Sequence, residues 1–133
     1  IQEAQFGKWQ LPSDWLKLEG NQLLAVDGVQ FGYDAIRIPL YLIWGQRATP
    51  SSMKPFQNFW GSFSGKPFPA WVNVINGDMA TYNAPIGFQN VAALTLAYPI
   101  LSSVQLAQYD PKQGYYSSML SLFSKMALDD LNK

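Results

Sequence analysis

A chain of 133 residues that is 48% hydrophobic and only 14% charged reads as one globular domain rather than a disordered segment. Nine basic and nine acidic residues cancel, so the basic excess that phosphate binding needs is missing and nucleic acid is not an expected partner. There is no cysteine and no histidine, which leaves no disulfide, no thiolate chemistry and no Ser-His-Asp or Cys-His triad; neither a metal nor a cofactor is expected.

The first residues are mixed. Gly7 and Pro12 break any helix, and Leu11-Pro12-Ser13-Asp14-Trp15 reads as a turn carrying an exposed Trp. Trp15 to Val26 predicts a hairpin, with Glu19-Gly20-Asn21-Gln22 as its turn, and Asp27-Gly28 predicts another turn. Next comes Phe31-Gly32-Tyr33-Asp34-Ala35-Ile36-Arg37, which opens an apolar helix expected to run to about Gly45-Gln46. Asp34 and Arg37 are three apart and would share a helix face. A carboxylate beside a guanidinium at the mouth of an apolar helix is either an N-cap or a chemical site. Pro39 is expected to kink this helix.

A second helix is expected after Thr49-Pro50, capped by Ser51 or Ser52, with Met53, Phe56, Phe59, Trp60 and Phe63 at helical spacing and Gly61 near its end. Lys66 to Pro69 is extended. Trp71–Val74 and Met79–Tyr82, joined through Asn76-Gly77, predict a second hairpin. A long helix is expected from Phe88 to about Leu106, apolar on most faces and bent at Pro99. Tyr109 to Gly114 is a loop. The last helix runs from about Tyr115 to Leu131 with an apolar set of Met119, Leu122, Phe123, Met126 and Leu131, and Asp129 and Asp130 predict a solvated, fraying end. No uninterrupted apolar run is long enough to cross a membrane, so membrane insertion is not expected.

The expected fold is therefore mainly α with two small β-hairpins. Two of its helices are apolar on more faces than four helices can cover, which predicts a partner surface. The chain starts at Ile1 with no leader pattern, and the expectation is a mature or cut product. Aromatics make up 15% of the residues. Core packing accounts for most such rings, and Trp44, Trp60 and Trp71 are placed there. Trp9, Trp15 and Tyr82 lie near turns and are the better candidates for platforms that stack on sugar rings.

Tyr33-Asp34-Ala35-x-Arg37-x-Pro39 resembles the Tyr-Asp-Ala-x-Arg-x-Pro segment of glycoside hydrolase family 8. Leu11 to Trp15, Pro85-Ile86-Gly87-Phe88 and Gly114-Tyr115-Tyr116-Ser117 fit the same family, and the likeness is greatest to its bacterial endo-β-1,4-glucanases that accompany cellulose synthases. The resemblance implies an (α/α)6 barrel and hydrolysis with inversion, which needs an acid and a base roughly 6.5–9.5 Å apart. It implies that Asp34 is the general base, that Tyr33 holds the attacking water or the distorted sugar, and that Arg37 orients Asp34 and favours its ionised form. Trp15 and Tyr82, from their places near turns, are the substrate-binding candidates. The resemblance also implies β-1,4-glucan as substrate, with mixed-linkage glucan, xylan and chitosan as the family's other substrates, and a periplasmic or secreted location.

The departure is that the family's proton-donating glutamate lies upstream. The only glutamates here, Glu3 and Glu19, do not match its context. Twelve helices of ordinary length with ordinary loops need roughly 190 residues. Residues 1–133 are thus expected to be the C-terminal portion of such a catalytic domain, with the upstream half of the same domain as partner and the acid supplied by it. A non-catalytic glycan-binding or structural fragment is the alternative.

Overall fold

A computed structural model describes residues 4–25 and 29–133. Glu3, Val26 and the Asp27-Gly28 turn lie outside the described residues. The elements in order are β1 (Leu16–Glu19), β2 (Gln22–Ala25), β3 (Gln30–Phe31), α1 (Arg37–Trp44), α2 (Pro50–Gly61), β4 (Val72–Asn73), α3 (Ile86–Ala97) and α4 (Tyr115–Leu131). The architecture is mainly helical with two small antiparallel sheets, as expected. α3 lies at the centre and packs against α1, α2 and α4.

β1 and β2 form the predicted hairpin, in the register Leu16↔Ala25 to Glu19↔Gln22, and Gly20 supplies the positive φ of its turn. The second sheet differs from expectation. β4 pairs with β3, Phe31↔Val72 and Gln30↔Asn73, and the local Trp71–Tyr82 pairing shrinks to an isolated bridge, Val72↔Met79, plus a few backbone bonds. Burial explains the choice. Val72 is buried beside Phe31, and Phe31 sits in an aromatic cluster with Phe56 and Trp60, each at 5.6 Å between ring centroids. This long-range apolar contact adds β3 as a second neighbour of β4, while the adjacent hairpin keeps its Val72↔Met79 bridge with Ile75 and Met79 exposed.

The start of α1 also differs. Asp34 does not cap it: the N-cap position is Ile36, which makes no side-chain cap bond, and residues 33–36 form a turn before the helix. Pro39 therefore falls in the first helical turn, where backbone N–H groups have no intrahelical acceptor in any case, and it breaks no interior hydrogen bond. Helix α2 is capped by Thr49, two residues before Ser51 and three before Ser52. Thr49 Oγ1 accepts the Ser52 N–H at 3.0 Å while Ser52 Oγ accepts the Thr49 N–H at 2.9 Å, a reciprocal cap with Pro50 as first helical residue. Met53, Phe56, Phe59 and Trp60 are its buried face.

Pro99 ends α3 rather than bending it. The ring disfavours a helical residue before it, and Tyr98 is extended, with φ −50° and ψ 135°. Residues 98–110 then carry no α-helix. Helix α4 has the predicted bounds but turns a different face inward. Its buried residues are Ser117, Leu120, Ser121, Ser124 and Ala127, whereas Leu122 and Met126 are exposed. Small side chains let α4 approach α3 closely: Gly87 N–H donates to Ser117 Oγ at 2.8 Å, and the Asn90 amide donates to Ser121 Oγ at 3.0 Å. At the far end Trp44 Nε1 donates to Asp130 at 2.9 Å, so this end of α4 is tied to α1 rather than free.

Candidate active site

The site grows out of the end of β3. Phe31 is locked in the core, Gly32 follows, and residues 33–36 turn into α1. The turn needs glycine at 32 because a Cβ there would stand 2.9 Å from Trp71 Cβ and 3.2 Å from Asp14 Oδ2. Beyond it, Asp34 and Arg37 meet as the spacing predicts, but across the turn and the first helical residue. Arg37 Nη2 donates to Asp34 Oδ1 at 3.2 Å and Arg37 Nε to the Asp34 carbonyl at 3.3 Å. Both side chains remain partly open to solvent. An ion pair this exposed contributes about 0–1 kcal/mol, so its effect is orientation rather than stability. Among the described residues, Asp34 Oδ2 has no hydrogen-bond partner.

Tyr33 packs edge-on against Phe88 at 5.2 Å and lies 6.4 Å from the ring of Tyr116, whose hydroxyl donates to the Tyr33 carbonyl. The Tyr33 and Tyr82 hydroxyls share a hydrogen bond at 2.7 Å, and both rings are exposed on one side. The β3–β4 sheet makes this possible, because it sets the segment leading to Tyr82 against the strand leading to Tyr33. Four of the five sequence-predicted site residues thus meet in two pairs, Tyr33 with Tyr82 and Asp34 with Arg37, which adjoin in the chain at Tyr33-Asp34. Trp15, 64% exposed, sits one residue beyond Asp14 at the base of the β1–β2 hairpin. Trp60 is fully core, while Trp44 and Trp71 are half-buried.

Two residues that the sequence reading did not place here complete the geometry. One is Tyr116. The other is Asp14, whose Oδ1 accepts from the backbone N–H of Gly32, Asp34 and Ala35 at 3.0, 3.1 and 2.7 Å. The signal for an acceptor of this kind is a turn whose N–H groups find no local cap.

Burial, together with its bond and proximity to Tyr82, pushes the Tyr33 phenol up to about 12. Burial also pushes Tyr116 to about 12, against the pull of the Arg37 guanidinium. The fold thus favours both neutral phenols. The stability this contributes is fully present below the ordinary tyrosine value of about 10 and is lost as pH rises through about 12. A spectrophotometric titration at 295 nm is expected to show two phenols ionising near 12, one of which disappears in Tyr33→Phe and the other in Tyr116→Phe. Their ionisation at ordinary values would contradict the described packing.

The sequence profile of the glycosyl hydrolases family 8 matches residues 1–130. The chain belongs to glycosyl hydrolases family 8. A family 8 likeness extends to individual proteins. A protein of Novacetimonas hansenii named "Probable endoglucanase" is 35% identical over 131 residues, which is 96% of this chain and 37% of that protein. The solved endo-β-1,4-glucanase of Acetobacter xylinum superposes with a TM-score of 0.79 at 34% identity, over 93% of this chain and 39% of that one. A family 8 endo-β-1,4-glucanase from an Achatina fulica gut metagenomic library superposes with a TM-score of 0.84 at 31% identity, over 97% of this chain and 40% of that one. The chain thus spans about two fifths of the length of these relatives. Its four helices and two sheets correspond to part of the (α/α)6 barrel of these family 8 enzymes.

Proposed function

We propose that this chain is the C-terminal portion of the catalytic domain of an inverting endo-β-1,4-glucanase and carries its general base, Asp34. The observation that supports this best is the asymmetry of the Asp34 carboxylate: Arg37 donates to Oδ1 and to the Asp34 backbone carbonyl, leaving Oδ2 with no hydrogen-bond partner among the described residues. A base must remain unprotonated, aimed and accessible to water, and a guanidinium on one oxygen serves the first two needs.

In this reading Oδ2 takes a proton from the water that attacks the anomeric carbon. The Tyr33 hydroxyl, paired with that of Tyr82, holds the water or the sugar hydroxyl next to it. The exposed rings of Trp15 and Tyr82 offer flat surfaces for glucose units. The acid that protonates the leaving oxygen comes from the upstream half of the domain, since Glu19 is an exposed hairpin residue paired with Lys17 at 3.7 Å. That half would also cover the apolar groove of about 1070 Å³ between residues 104–109 and α4, where Leu106, Met119 and Leu122 lie. Such an enzyme acts on polysaccharide outside the cytoplasm.

The test follows product stereochemistry. The whole catalytic domain containing this segment is expected to cleave a soluble β-1,4-glucan and release the α-anomer first, seen by ¹H NMR before mutarotation. Initial release of the β-anomer would exclude Asp34 as the base of a single displacement. The isolated 133-residue chain is expected to give no turnover.

A further inference from the structure

We infer that Asp14 is the positioning residue of this site: its carboxylate fixes the Gly32–Ala35 turn and so sets where the Asp34 carboxylate points. The inference rests on reading Asp34 as the general base. Asp14 is remote in sequence, and nothing in its immediate surroundings, a Pro-Ser-Asp-Trp turn, marks it as more than loop chemistry. The geometry does. Oδ1 of Asp14 gathers three backbone N–H groups, and one of them belongs to Asp34 itself. The Cα from which the Asp34 side chain extends is therefore held directly.

Asp14 is itself held. Its N–H donates to the Gln30 carbonyl at 2.6 Å, within the strand that feeds the turn. Its Oδ2 lies against Gly32, where even one added methyl would crowd it. The turn has no substitute among the described residues: Ile36 makes no side-chain cap bond, and the Asp34 carboxylate is engaged by Arg37 rather than by backbone. Burial pushes the Asp14 carboxyl above its ordinary value, against the pull of its three N–H donors. A protonated Asp14 still presents a carbonyl oxygen to those donors, so the role is geometric and does not depend on charge.

Geometry and charge can be separated by two substitutions in the full-length protein that carries this segment. Asp14→Asn keeps an acceptor oxygen in place and removes the charge. Asp14→Glu keeps the charge and displaces the oxygen by one methylene. Positioning predicts that Asp14→Asn retains kcat within about threefold while Asp14→Glu loses about 10²-fold, the scale of a ~1 Å misplacement, with KM within about twofold for both. The reverse order, or an Asp14→Glu enzyme with wild-type kcat, overturns the inference. Should Asp14→Glu fail to fold, Asp14→Ala and Gly32→Ala take its place with the same expected loss in kcat at unchanged KM, and wild-type kcat in either sinks it. Asp34→Asn assayed alongside separates the two readings. A fully active Asp34→Asn removes the base assignment, whereas an inactive Asp34→Asn with an active Asp14→Glu removes only the positioning role.

Discussion

Asp34→Asn is expected to lower kcat on a soluble β-1,4-glucan by about 10²–10⁴-fold, the contribution of a positioned base, when assayed in the whole catalytic domain. The amide oxygen can replace Oδ1 opposite Arg37, so the local geometry survives, but the group cannot take up a proton. KM should change little, because the interaction that is lost forms as the water attacks. Stability should change little as well. The Asp34–Arg37 pair is partly exposed, and removing it costs about 0–1 kcal/mol at most. This separates the base from the cap that the sequence also allowed. A capping Asp would cost about 0.5–2 kcal/mol and leave the rate alone. A rate within a few-fold of wild type, together with a clear drop in the denaturation midpoint, would restore the capping reading.

The same residues show what the sequence made legible. The Asp34–Arg37 contact follows from a spacing of three, and Tyr33 is fixed by chain adjacency. The bounds of α4 and the β1–β2 hairpin follow from patterns that need only local information. The features that remained hidden are those decided by distant groups. Asp14 reaches the turn from 18 to 21 positions away in sequence. Tyr82 reaches Tyr33 because β4 pairs with β3 on one side and keeps backbone bonds to the segment ending at Tyr82 on the other. Read locally, Asp34 is the natural cap and Trp71–Tyr82 the natural hairpin; in the folded chain an acceptor from elsewhere takes the cap's place, and the hairpin, reduced to one bridge and a few backbone bonds, gains β3 as a second neighbour.

Helix α4 shows a second kind of limit. Hydrophobic periodicity favours Met119, Leu122, Phe123 and Met126 as the buried face, because large side chains bury the most area. The structure buries Leu120 together with Ser117, Ser121, Ser124 and Ala127 instead. What decides is distance of approach, not hydrophobicity. α3 offers Gly87 and Asn90, and only small residues opposite them allow the two backbones to close. Met119, Leu122 and Phe123 line the groove beside residues 104–109, Phe123 also packs against Trp44, and Met126 is exposed. Leu122 and Met126 of α4, which the sequence pattern places inside, thus stand exposed among the described residues.

That close approach leads to the largest expected effect on stability, at Gly87→Ala. Gly87 lies in the first turn of α3 and is buried. A Cβ there would stand 2.1 Å from the Ser117 carbonyl oxygen and 2.8 Å from its carbonyl carbon and Cα. These are backbone atoms within α4, so no rotamer change relieves the clash, and the helices must separate. Helix propensity works the other way, since alanine in place of glycine favours a helix by about 0.8–1.0 kcal/mol. Overpacking usually costs about 1–3 kcal/mol and occasionally more, and overlap with fixed backbone belongs at the upper end. The net expectation is a loss of at least about 2 kcal/mol, a large part of an ordinary domain's stability. Ser117→Ala is the matched control: it removes the 2.8 Å bond to the Gly87 N–H but adds no volume, and should lose about 1–3 kcal/mol for the orphaned donor. The damage would not stay between the helices. Phe88 follows Gly87, Tyr116 precedes Ser117, and these two rings pack against Tyr33 and against each other. Pushing α3 from α4 should therefore loosen Tyr33 as well, seen in Gly87→Ala as a fall in the late-ionising phenols toward the ordinary tyrosine range. A Gly87→Ala protein with wild-type denaturation midpoint would mean that α3 and α4 do not approach this closely in solution.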